Sequence, residues 1–200
     1  MGVSLSKGQK ISLEKDRSLK KVFMGCGWDP AQAPAKKKGF LSSIFGGGGG
    51  AADEIDLDAS VIVFDESKAT IDVVWFQQLK SKDGAIVHSG DNRTGEGDGD
   101  DETIYVDLTA LDSRAKYLVF TVNSFRGQTF NEVDNAFVRL VDQSSNAEIC
   151  RYTLTEKSQN TGVVMATMEK TSAGWVMTAH GTPCNGRTAA DMANIAKNIL

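Results

Sequence analysis

Cysteine and histidine are scarce in this sequence, three of the first and two of the second in 200 residues. Cys26, Cys150 and Cys184 lie far apart and form no CxxC pair, and only His88 and His180 could join them. That spacing argues against a structural zinc site and against a dithiol redox centre. An odd number of separated thiols reads as reduced cysteine in a cytoplasmic protein. No run approaches the roughly 18 apolar residues of a membrane helix. The first residues, MGVSLSKGQKISL, also lack the apolar stretch of a signal peptide. A net charge of −4 disfavours nucleic acid, whose phosphates require clustered lysine and arginine.

What is present is mostly β. Short runs rich in β-branched and aromatic residues, such as LDASVIVFD, TIDVVWF, KYLVFTVNS and GWVMTAHG, alternate with turns such as SKDG, QSSN and TSAG. Ten or eleven such runs with short connections predict an all-β fold, an antiparallel sandwich of two sheets. One short helix is expected at the C-terminus, in RTAADMANIAKNIL. Thr188 and Asp191 form a capping-box pattern, and Met192, Ile195, Ala196 and Ile199 share a face that should pack on the sandwich. A further helical turn is expected around FNEVDNAF.

The 1–200 chain reads as a single domain with one insertion, at about 30–53. There Lys36, Lys37 and Lys38 precede Phe40, Leu41, Ile44 and Phe45, and five consecutive glycines follow. The composition is that of a flexible loop. Its basic and apolar residues also suit weak docking to an anionic membrane surface.

The segment HSGDNRTGEGDGDDE, residues 88–102, holds six carboxylates and four glycines. Like charges at such spacing repel, so the loop is either a solvated acidic segment or the seat of a cation. An EF-hand is ruled out, because Arg93 and Gly95 occupy ligand positions and strands flank the loop. Acidic groups would equally repel the phosphates that glycine-rich loops cradle. In DEIDLDAS, Asp56 and Asp58 are two apart at a strand's start and point to one face. Carboxylates converging from two segments suit Ca²⁺, which takes roughly six to eight oxygens at about 2.3–2.6 Å. So many carboxylates could neutralise two ions.

At these residues the sequence resembles a known family. VSLSKGQKISL, GCGWDP, DLDAS, LKSKDGAIVHSGDNRTGEGDGDDE, VFTVNSFRGQTFNEVDNAFVRLVD and RYTLTE look like the TerD family of tellurium-resistance and stress proteins. The insert after GWDP, with NSFRGQTFNEV, looks most like the TerZ branch. The resemblance implies a calcium-binding sandwich with a bacterial role in resistance to tellurite, phage and pore-forming colicins. It also implies partners among other Ter proteins, including an integral membrane protein, and so a location peripheral to the inner membrane face. Asp56 and Asp58 match the family's DLD pair, while Asp91, Asn92, Glu96, Asp98, Asp100, Asp101 and Glu102 match its loop.

The phenotype is not read as direct detoxification. Tellurite is an oxyanion that an acidic pocket rejects, and its reduction needs vicinal thiols or a redox cofactor. The reading is therefore a non-enzymatic calcium-binding sensor or scaffold in a membrane-associated complex. Two alternatives stay open: a hydrolase whose cation is catalytic, and a small-ligand module like those related to cyclic-nucleotide-binding proteins of a slime mould. Among single residues, His88 reads as a satisfied structural histidine and Arg93 as a brace for the loop. Trp28 reads as core, and Asp29 as a turn residue with an outside claim on the ion. Trp75, Phe76, Phe137 and Trp175 read as core, and for Phe125 and Phe130 the lining of a surface groove stands as the lesser alternative.

Overall fold

The computed structural model describes residues 2–13, 19–31, 55–91 and 99–200. The chain forms β1 (Val3–Leu5), β2 (Lys10–Ser12), β3 (Lys21–Pro30), β4 (Asp58–Phe64), β5 (Thr70–Val74) and β6 (Ile86–His88). It continues through β7 (Glu102–Asp107), β8 (Tyr117–Asn123), β9 (Val133–Asp142), β10 (Ala147–Thr153), β11 (Gly162–Thr171) and β12 (Gly174–Cys184), then ends in α1 (Ala189–Ala196). Two six-stranded sheets result, ordered β1-β10-β9-β3-β7-β6 and β2-β12-β11-β8-β4-β5. All described pairings are antiparallel except β1 with β10. The all-β sandwich with its short C-terminal helix is the fold the sequence pattern predicts.

Strand periodicity fills the space between the sheets. In β7, Glu102, Ile104 and Val106 are buried while Tyr105 faces out. Strand β4 is buried on both faces because each face has its own cover. Ala59, Val61 and Val63 enter the inter-sheet core. Ile62 and Phe64 lie on the opposite face under Met192 and Ala196 of α1. The helix is started by Thr188, whose side chain accepts from the Asp191 backbone N–H while Asp191 Oδ2 accepts from the Thr188 N–H at 3.1 Å. Such a cap stabilises by about 1 kcal/mol.

Several expectations need correction. The three-residue β1 carries too little pattern to be read in advance. FNEVDNAF is not a helical turn: β9 starts at Val133. The helical look has a cause, since Val133 and Ala136 are both buried three positions apart. Asn135, at φ 52°, sits in a bulge that inserts an extra residue opposite the Gly27–Asp29 stretch of β3. Of the aromatics assigned to the core, Trp175 is there, but Trp75, Phe76 and Phe137 are only half-buried. Phe130 is buried in the inter-sheet core rather than lining a groove. Most of the 30–53 insertion lies outside the described residues.

Candidate metal centre

One end of the sandwich collects the start of β4, the end of β6, the start of β7 and the end of β8. Asp58 opens β4 opposite Asn123, the last residue of β8. Leu57 is fully buried in the core, so alternation turns Asp56 and Asp58 the other way. The acidic loop leaves β6 just after His88 and returns at Glu102. Gly90 and Gly99, near its two ends, have φ of 112° and 113°, a region that suits glycine alone.

Among the described residues, Asp56, Asp58 and Asp91 each offer an oxygen, and these oxygens lie within 4.8 Å of one another. Ligands held about 2.4 Å from one Ca²⁺ span that distance. Asp58 is almost fully buried. Burial, then the charges of Glu102, Asp56 and Asp91, push its pKa up to about 7, although an N–H bond from Phe125 at 3.2 Å partly opposes them. A carboxylate so placed gains from a cation, and the donor set is all oxygen. The residues present fit calcium. Arg126 already supplies one positive group, with Nε 2.9 Å from Asp56 Oδ2.

The described loop acids Asp100 and Asp101 are turned elsewhere. Asn92, Glu96 and Asp98, with Arg93, lie outside the described residues. Asp100 reaches across β3 to Arg139 on β9, which donates to both its oxygens at 2.7 and 2.8 Å. This crossing requires the glycine at 25, which stands opposite Arg139 in the register. A Cβ there would fall 2.3 Å from the Asp100 carboxyl group. Asp101 accepts from the Trp28 backbone N–H at 2.8 Å, and burial raises its pKa. Asp29 accepts from Asn135 Nδ2 at 2.7 Å and is not in the cluster.

Glu102 and His88 fasten the two sheets together. Glu102 Oε2 accepts from the Ala59 N–H at 2.7 Å, and His88 Nε2 stands 3.1 Å from the Ala59 carbonyl. The Gly90 N–H is 3.1 Å from Nδ1 of the same ring. Nδ1 therefore accepts and Nε2 carries the proton, the neutral tautomer. With both nitrogens engaged and its side chain fully buried, His88 is a structural group.

Arg126, Arg139 and the glycine trough of β3 escaped the sequence reading. Gly25 and Gly27, two apart in one strand, do point to a bare strip on one face. The arginines carry no comparable mark. The three thiols are buried, and burial pushes Cys150 up to about 12, Cys184 up to about 11 and Cys26 well above its ordinary value. Reactive thiols are exposed and acidic, so these are packing groups.

Comparison with known proteins agrees with this architecture. The TerD domain model matches residues 1–197. Tellurium resistance protein TerZ of Serratia marcescens is 51% identical over 191 residues, covering 95% of this chain and 94% of that protein. Stress response protein SCP2 of Bacillus subtilis (strain 168) is 38% identical over 200 residues, covering 96% of this chain and 98% of its own length. A crystal structure of a homologue of telluride resistance protein (TerD) from Streptomyces coelicolor A3(2) superposes with a TM-score of 0.64. It is 20% identical and covers 84% of this chain and 92% of that one, which speaks to the fold alone. The chain belongs to the TerD family.

Proposed function

We propose that this member of a tellurium-resistance and stress-response family binds calcium where Asp56, Asp58 and Asp91 meet, and acts without catalysis as a sensor or scaffold. The observation that carries the reading is the convergence of these carboxylate oxygens to within 4.8 Å around the buried Asp58. A second ion would draw on the acidic residues between Asp91 and Asp100. Among the described residues, the groups bonded to the cluster include a guanidinium and a backbone amide, which position carboxylates rather than move protons. His88, the nearest imidazole in sequence, is committed to Ala59 and Gly90. The family resemblance extends the proposal to a cytoplasmic complex at the inner membrane face, with other Ter proteins and an integral membrane partner. Resistance to tellurite, phage and colicins would follow from that assembly.

Calcium bound only by the folded state adds RT ln(1 + [L]/Kd), about 2.7 kcal/mol at a hundredfold excess over Kd. For a chain of this size the melting temperature should rise by about 5–10 °C relative to chelator. Equal melting in the two conditions would sink the reading.

A further inference from the structure

Beside the carboxylates, an apolar ridge faces solvent. Phe125 is 49% exposed and Leu79 is 44% exposed, while Trp75 and Phe76 are half-buried. The rings stand edge to face in series, with centroids 4.9 Å apart from Trp75 to Phe76 and 5.9 Å from Phe76 to Phe125. Topology brings them together. Strand β5 runs antiparallel to β4 with Val74 opposite Val61, so the chain leaving β5 arrives beside Asp58. The end of β8 delivers Phe125 to the same place.

Cations flank this ridge. The Arg126 side chain is 42% exposed, and the exposed Arg187 lays its guanidinium against Gly127. Exposed aromatic rings with a basic rim suit the boundary between lipid headgroups and acyl chains, and the basic rim selects anionic lipid. The ridge is also tied to the candidate metal centre. Phe125 donates its backbone N–H to Asp58, and Arg126 pairs with Asp56.

We propose that the Trp75–Phe76–Phe125 ridge docks on an anionic phospholipid surface and does so when a divalent cation occupies the neighbouring carboxylates. The inference rests on the calcium reading above. In the ion-free protein the three carboxylates repel an anionic surface. A bound divalent cation offsets most of that charge and competes with Arg126 for Asp56, leaving the guanidinium to meet a lipid phosphate.

The test uses the full chain carrying Lys36→Gln, Lys37→Gln and Lys38→Gln, so that the insertion contributes no attraction. Co-sedimentation with mixed phosphatidylcholine–phosphatidylglycerol vesicles should be about tenfold stronger in calcium than in chelator, and absent with phosphatidylcholine alone. Phe125→Ser should lower vesicle affinity about tenfold and Arg187→Gln about fivefold. Arg187→Gln should leave the calcium isotherm measured in parallel unchanged, while Phe125→Ser keeps the backbone N–H that Asp58 accepts from. Calcium uptake without vesicle binding overturns the docking proposal and leaves the calcium reading standing. Equal vesicle binding by Phe125→Ser, or capture of a soluble protein by the ridge in place of vesicles, also overturns it. A titration without calcium uptake overturns both.

Discussion

Asp58→Asn will raise the stability of the ion-free protein at pH 8 and abolish its response to calcium. The opposite signs follow from one cause. The carboxyl group of Asp58 has its pKa raised to about 7 by burial and by Glu102, Asp56 and Asp91, so ionisation there works against folding. The amide keeps an oxygen to accept from Phe125 N–H while removing the charge. The gain in chelator should be about 1–3 kcal/mol, since the interaction is shared among coupled carboxylates. Its pH dependence has a definite sign. A carboxyl group whose folded pKa is raised contributes stability that is present below its unfolded value and lost as pH rises through about 7. The advantage of Asp58→Asn should therefore vanish towards pH 4, grow as pH rises to about 7 and level off above it. Urea unfolding across that range is the check. An ion-free variant less stable than its parent at pH 8 would mean that the carboxylate is not under electrostatic strain.

The second large effect concerns the glycine trough. Gly27→Ala should destabilise the protein by about 2–4 kcal/mol, and Gly25→Ala by somewhat less. A Cβ at 27 would lie 2.5 Å from the Phe137 ring and 2.6 Å from the Gly99 carbonyl, so backbone must move. At 25 its three nearest atoms would all belong to the Asp100 side chain, and that group is held by Arg139 through two bonds. Displacing it breaks a bidentate charged pair and loosens the return of the acidic loop into β7. Arg139→Met removes the same pair from the other side. The double variant Gly25→Ala/Arg139→Met should then cost less than the sum of its parts, as expected for residues that share one interaction. Full additivity in denaturant unfolding, or a Gly27→Ala protein as stable as its parent, would refute this packing argument.

The parts of this protein legible in its sequence are those with a local period. Alternation marked the strands, and the i, i+3, i+4, i+7 face of the last segment placed α1 on the sandwich. The DLD pair marked where acid would gather, because Leu57 enters the core and alternation turns both of its neighbours to the opposite face. What stayed hidden depended on register between distant strands. Arg139 meets Asp100 only because β9, β3 and β7 lie side by side, with Gly25 between them. The bulge at Asn135 disguised a strand as a helical turn for the same kind of reason. Trp75 and Phe76 looked like core residues because hydrophobic content alone does not say whether a strand end is covered.

The central claim is that Asp56, Asp58 and Asp91 hold a cation together, and calorimetric titration with calcium tests it most directly. Titrations at pH 6 and pH 8, each in two buffers of different ionisation enthalpy, report the protons released. The account predicts saturable binding. It should release close to one proton per protein at pH 6, where Asp58 is largely protonated, and much less at pH 8. Affinity should weaken as pH falls below about 7, and Asp56→Asn combined with Asp58→Asn should eliminate the heat. No binding by the parent, or undiminished binding by the double variant, would contradict the account.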